Sequence, residues 1–290
     1  MAKGEIEVKE KLSKQFMVTK VCNLLILSAI TFSISASENL EIPKGPGGKP
    51  DLNGVWQVLN TANYNLEAHS ATASLAMIEG PVVPIPHPSI VALGSVGSVP
   101  AGLGVVEGGT IPYKRSALKK RDENKRNWID RDPEIKCYLP GVPRATYMNF
   151  PFQIFHSEKA IFFAYEYAGA VRNIYLEDPG PAPVDSWMGQ SWGYWEGDSL
   201  VIEVTGFNDQ TWFDRSGNFH SDQLKVIERY TLINNHTMNY EATIEDEKVF
   251  TTPWKISMTL YKRVGKDAQL QQFKCVEFVE ELFYGKWRGN

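Results

Sequence analysis

Ser191-Trp192-Gly193-Tyr194-Trp195-Glu196-Gly197-Asp198-Ser199-Leu200-Val201-Ile202-Glu203-Val204-Thr205 sets two runs of aromatic and β-branched residues on either side of Glu-Gly-Asp. Such runs favour a pleated, half-buried surface. The Gly-Asp pair suits a tight turn that needs positive φ. The segment therefore predicts a β-hairpin. Moving outward, Phe152–Phe155 and Ile161–Tyr167 flank His156-Ser157-Glu158-Lys159, and Val171–Leu176 follows Ala168-Gly169-Ala170. Leu224–Leu232 and Met238–Ile244 flank Asn234-Asn235, while Trp254–Arg263 and Leu270–Val276 flank Gly265-Lys266-Asp267. With Gly54–Leu59 upstream, about ten short strands predict an all-β fold, an antiparallel meander closed as a barrel or folded as a sandwich. Closure is favoured because so long a meander otherwise leaves exposed edges.

The 290-residue chain is 43% hydrophobic and 22% charged with a formal charge of −4, which excludes a disordered tail, a collagen-like repeat and a strongly basic nucleic-acid binder. Residues 38–290 read as a single barrel domain, with the meander over 151–276 and an irregular N-terminal elaboration over 54–136. Within the elaboration, Pro81, Pro84, Pro86, Pro88, Pro100 and Pro112 interleave with glycines and aliphatic residues across 80–113. Proline withholds ladder hydrogen bonds, so this stretch is expected to pack on the body or to act as a lid. Lys114–Arg131, dense in both charge signs, predicts a solvated helix. Glu277–Trp287 carries Phe278, Leu282, Phe283 and Trp287 near helical spacing and predicts a short C-terminal helix.

Residues 1–37 read as a signal peptide. Lys20 precedes the mainly apolar stretch Val21–Ile34, and Ser35-Ala36-Ser37 supplies small residues for cleavage. The apolar stretch falls short of the ~20 residues a membrane span needs, so no stable transmembrane span is expected after processing. Met17 is a second candidate start. Processing leaves 25 basic and 31 acidic side chains, a charge of −6. It also removes Cys22, leaving Cys137 and Cys275, for which an oxidising periplasmic or extracellular location makes one disulfide the default.

Alternation along the strands selects the candidate site residues. Glu166 shares a face with Phe162 and Ala164, Glu228 with Val226, Tyr230 and Leu232, and Arg172 with Ile174 and Leu176. An ionised group on an apolar face must be paired or neutralised. These three are thus partners for one another or for a ligand, unless they lie on the exterior. Tyr165, Trp192, Trp195 and Trp212 are candidates for an aromatic wall around a small molecule. His220, just before a strand, could serve as an acid/base group at a barrel mouth. Gly189-Gln190-Ser191-Trp192-Gly193 matches the G-x-S-x-G pattern, but the strand before the serine and the helix after it are missing. The five histidines show no metal-binding spacing, and no phosphate loop, dinucleotide fingerprint or haem attachment sequence occurs, so no cofactor and no metal site are expected.

Ser191–Ile202, with Gly141-Val142-Pro143-Arg144, His220-Ser221-Asp222, Glu228-Arg229-Tyr230 and Thr243-Ile244-Glu245-Asp246, resembles a family of secreted bacterial proteins of no established activity. The resemblance spans roughly Pro50 to Cys275, and its W-E-G-D-[ST]-L-V core implies an exported β-rich protein. Asp51-Leu52-Asn53-Gly54-Val55-Trp56 resembles the G-x-W opening of lipocalin-type barrels, which implies a ligand-holding barrel. Three functions follow as expectations. The first is an exported barrel holding a small, largely apolar molecule of lipid or terpenoid type, with Glu166, Arg172 and Glu228 as its polar contacts. The second is a cofactor-independent acid/base enzyme, a hydratase, lyase, isomerase or cyclase, using Glu166 or Glu228 with His220 and with Arg172 stabilising negative charge. The third is a structural subunit of an envelope assembly, which needs a broad exposed apolar surface. None of the three involves nucleic acid.

Overall fold

The computed structural model describes residues 42–72, 99–273 and 275, all within the compact unit Glu41–Asn290. Nine strands form one closed barrel in sequence order: β1 (Gly54–Val58), β2 (Phe152–His156), β3 (Ile161–Tyr165), β4 (Val171–Tyr175), β5 (Gln190–Glu196), β6 (Ser199–Thr205), β7 (Lys225–Leu232), β8 (Thr237–Glu245) and β9 (Trp254–Lys262). The ring shuts where β9 pairs with β1, Leu260 opposite Val58 and Lys262 opposite Trp56. The fold is thus all-β, as the hairpin grammar predicts.

Two expectations need correction. No tenth strand is present among the described residues: Leu270–Phe273 is irregular, and Gly265–Asp267 turns into this tail rather than into a ladder. The meander is also not wholly antiparallel, because β4 and β5 run parallel through Ile174 opposite Ser191 and Tyr175 opposite Trp192. Strand directions can alternate around a closed ring only if the strand count is even; with nine, one parallel junction is unavoidable. Parallel neighbours need a crossover of a dozen or more residues, and residues 176–189 supply it. The remaining neighbours are antiparallel, and the β5–β6 turn places Gly197 at φ 60°, the left-handed region open to glycine.

The two barrel mouths differ. At one, strands join through the short turns 157–160, 197–198 and 233–236, and residues 42–53 lie across the opening. Asn53 fastens that segment to β2, its Nδ2 donating to the His156 carbonyl at 3.0 Å and its Oδ1 accepting from the His156 N–H at 2.7 Å. At the other mouth, the described parts of the β1–β2 connection, 59–72 and 99–151, together with 206–224 and 246–253, form a thick plug. The plug contains the helices α1 (Arg115–Arg126), α2 (Trp128–Arg131) and α3 (Arg144–Tyr147). The helix predicted over Lys114–Arg131 is therefore present but interrupted at Asn127.

The described part of the lid-like stretch is fixed to the barrel. Val106 bridges Ile256 and Tyr113 bridges Phe250, while the Glu107 N–H donates to the Lys255 carbonyl at 2.8 Å. Cys137 and Cys275 stand at disulfide distance, with Cα atoms 5.7 Å apart. The predicted signal peptide, residues 80–98 of the lid-like stretch and the C-terminal helix lie outside the described residues.

Candidate functional site

Side chains fill the lumen. Alternate residues of every strand point inward, and Trp56, Phe152, Phe163, Ile202, Tyr240, Ile256 and Leu260 are fully buried there. Burying each such side chain contributes about 1.5–3 kcal/mol. Among the described residues, the strands send Arg172 from β4 and Glu228 from β7 into this apolar interior, while Lys262 at the end of β9 lies over the Trp56 ring, 5.5 Å from its centre.

Arg172 and Glu228 meet across the lumen. Arg172 Nη2 donates to Glu228 Oε2, and both side chains are buried. Arg172 Nε donates to Ser191 Oγ on β5 at 2.7 Å. The other Glu228 oxygen, Oε1, accepts from the Tyr230 hydroxyl at 2.9 Å and from the Tyr240 hydroxyl at 2.8 Å. Thr146 Oγ1 on α3 stands 3.3 Å from the Tyr230 hydroxyl. Phe163 lies beneath the guanidinium, its ring centre 5.8 Å away.

Burial opposes the Arg172 charge, but Glu228 outweighs it and holds the pKa well above the ordinary arginine value. Burial raises the pKa of Tyr230 and Tyr240 well above that of free tyrosine, and the Glu228 charge adds to the rise. Two polar atoms of the cluster, Arg172 Nη1 and the Tyr165 hydroxyl, are buried with no hydrogen-bond partner. Burial raises the pKa of Tyr165 and Arg172 opposes the rise. Arg172 and Thr146 are thus neighbours of that hydroxyl, though neither reaches hydrogen-bond geometry with it.

The structure unites Arg172, Glu228 and Tyr165 and leaves the other sequence-selected residues apart. Glu166 follows the end of β3 on the Phe162–Ala164 side, which faces out of the lumen while Ile161, Phe163 and Tyr165 face in; its Oε2 accepts from the Gln271 N–H at 2.7 Å. His220 is buried in the plug. Its Nδ1 donates to the Ser221 carbonyl at 2.8 Å, which leaves Nε2 to accept from the Thr211 hydroxyl at 2.5 Å. Burial lowers its pKa and so disfavours the protonated ring. Trp192 points outward from β5 beside Tyr194, ring centres 5.1 Å apart. Trp195 sits at the short-turn mouth against His156, 5.4 Å between rings, and Trp212 lies in the plug opposite Phe219. The aromatic candidates therefore do not form one wall.

A second buried polar cluster, which sequence reading misses, organises the plug. Arg144 grips both oxygens of Asp132 at 2.8 and 3.0 Å, reaches Glu134 at 2.6 Å and donates through Nε to Asn63 at 2.9 Å. Arg215 donates to both Glu134 oxygens at 2.7 and 3.0 Å. Burial opposes the Glu134 charge, yet Arg215 and Arg144 together bring its pKa down to about 2. Asp214 accepts four N–H groups, from Leu66, Ser216 and Asn218 twice. Burial nevertheless lifts its pKa to about 6.

Among the described residues, no group of three or more His, Cys, Asp or Glu side chains is arranged to hold a metal ion. No helix among them is long and apolar enough to cross a membrane. No protein-family model, curated protein or solved structure matches the chain.

Proposed function

We propose that the protein is an exported barrel that binds a small, largely apolar molecule and receives its one polar group in the lumen at Arg172 and Tyr165. One observation carries the reading: Arg172 Nη1 and the Tyr165 hydroxyl are unpartnered donors inside an interior whose other charged oxygens are fully engaged. Stranding a buried donor costs about 1–3 kcal/mol, and a ligand oxygen recovers that cost. Packing restricts the site to a small group among aromatic rings. The site lies beside the β4–β5 junction, which two residue pairs hold and which the Arg172–Ser191 bond spans. The signal-like N-terminus and the resemblance to secreted β-rich proteins support export.

The acid/base alternative has less support, since His220 uses both ring nitrogens within the plug and Glu228 has three partners of its own. The envelope-subunit alternative draws on the outward-facing Phe155, Val171 and Tyr175 of β2 and β4, all exposed. Native mass spectrometry of protein purified from its host tests the binding reading. A released small molecule supports it; apo protein alone, with no lipid or terpenoid raising the Tm, overturns it.

A further inference from the structure

Outside the lumen, an open cleft lies where the barrel wall changes partners. β9 keeps β1 beside it as far as Val58. Farther along the same edge Val105 takes over, its carbonyl accepting from the Ser257 N–H at 3.0 Å. The chain departs at Leu59 and returns at Gly104, and between the two paths lies a space of about 410 Å³, within the ~300–1,000 Å³ of small-molecule sites. The returning loop holds one leucine out. Gly102 exchanges two backbone bonds with His69, at 2.9 and 3.0 Å, and the Val105 N–H donates to the Leu66 carbonyl at 2.8 Å. A Cβ at Gly102 would stand 2.0 Å from Thr61 Oγ1, and Gly104 sits at φ 80°, so glycine is what lets the loop lie this close. Leu103 between them is 99% exposed although both flanks are anchored. With Leu59 and Tyr261, also exposed, it gives the cleft an apolar rim.

Among the described residues, no charged side chain lines the cleft. Asn65, which does, is only 8% exposed. Its Oδ1 accepts from the Glu67 N–H at 3.0 Å, which fixes the amide's orientation, and its Nδ2 makes no hydrogen bond among the described residues. Asn60 is held the same way: Oδ1 accepts from the Ala62 N–H at 3.0 Å, and Nδ2 reaches only the weak acceptor Met258 Sδ at 3.4 Å. Thr61, Ser257 and Thr259 add hydroxyls, which both donate and accept. A hydrocarbon filling the cleft would strand the two amide donors away from water. An anion would find no counter-charge. A neutral polyol carries oxygens for the amides and O–H groups for the hydroxyls, and an apolar substituent on it covers the rim.

We infer that the cleft binds a neutral glycoside with an apolar substituent, in preference to its acidic counterpart. Asn60 and Asn65 receive the sugar oxygens, and Leu59 and Leu103 cover the substituent. This site stands or falls separately from the lumen.

The test titrates octyl glucoside, octyl glucuronide and 1-octanol, each below its micelle or solubility limit, into the full-length protein at pH 7, with methyl and side-chain amide NMR reporting where each binds. The glucoside should shift the Leu103 and Met258 methyl and Asn65 amide resonances saturably. It should bind at least ~5-fold tighter than the glucuronide, whose charge goes unmatched, and than 1-octanol, which leaves amide donors unpaired. Leu103→Ser, at a side chain too exposed for the change to disturb folding, should weaken the glucoside about tenfold. Asn65→Asp keeps an oxygen for the Glu67 N–H but loses the Nδ2 donors, and should weaken it about tenfold wherever circular dichroism shows the variant folded. Absence of saturable shifts at the cleft, shifts confined to lumen residues such as Phe163, glucuronide or 1-octanol binding as tightly as the glucoside, or unchanged affinity in Leu103→Ser overturns the inference and leaves the lumen reading standing. Apo protein from the host with no stabilising lipid or terpenoid overturns the lumen reading and leaves a glucoside-binding cleft intact.

Discussion

Glu228→Gln tests the lumen cluster most directly, because it removes one charge and almost no volume. Wild-type Glu228 is fully buried, pairs with Arg172 and accepts from two tyrosines. The amide oxygen of glutamine can still accept from Tyr230 and Tyr240, so the dominant loss is the counter-charge of a buried guanidinium. Breaking one side of such a pair costs about 3–5 kcal/mol. In a barrel of this size that lowers the Tm by roughly 6–20 °C, at about 2–4 °C per kcal/mol. Arg172→Met should cost less, because a carboxyl can shed its charge by taking up a proton whereas a guanidinium cannot. The double variant Arg172→Met/Glu228→Gln removes both charges and should recover much of the loss, as removing both members of a buried pair often does. Urea unfolding of the four proteins gives the cycle. A Glu228→Gln loss below 1 kcal/mol, or a double variant as unstable as the two single losses added, would refute the account of the lumen as a desolvated ion pair.

Asp214, raised from 3.8 to about 6, is disfavoured as an anion in the fold, so its contribution to stability grows as pH falls from above 6 toward 4. Its side-chain carboxyl ¹³C resonance should titrate near pH 6, and a midpoint below 4 would contradict this. Glu134, lowered from 4.5 to about 2, works in the opposite sense: its contribution is complete above 4.5 and is lost as pH falls through 2. Acid unfolding should therefore steepen below pH 4, and an Arg215→Met variant should begin that loss at higher pH. Thr211→Val removes the bond to His220 Nε2 and should cost about 1 kcal/mol in urea unfolding without changing ligand affinity; a changed affinity would return His220 to the site. Reduction of the Cys137–Cys275 pair, which closes 138 residues of sequence, should lower stability by as much as ~4–5 kcal/mol by loop entropy, read as a drop in Tm with reductant.

Sequence pattern revealed strand positions and facing because alternation is a local property: Glu228, Tyr230 and Leu232 share one face of β7 by period two alone. The pairing of Arg172 with Glu228 was legible only as a need, since burying a charge demands a partner while the identity of that partner depends on barrel closure. Glu166 shares a face with Phe162 and Ala164, and apolar neighbours alone do not say which face of a strand turns inward; on β3 it is the face of Ile161, Phe163 and Tyr165. The plug was illegible. Asn63, Asp132, Glu134, Asp214 and Arg215 come from three separate irregular stretches and Arg144 opens the one-turn helix α3, and no periodicity marks such segments as buried. The parallel β4–β5 junction follows from strand parity once nine strands are counted, but the tail at Leu270–Phe273 resembled a tenth and hid it.

The closure between β1 and β9 orders events in time. β1 lies near the start of the barrel sequence and one of its two neighbours is the last strand made, Trp254–Lys262. A growing chain cannot complete the ring, or shield the Arg172–Glu228 pair from water, until almost the whole barrel sequence has been synthesised. Long-range pairing of this kind is slow to form.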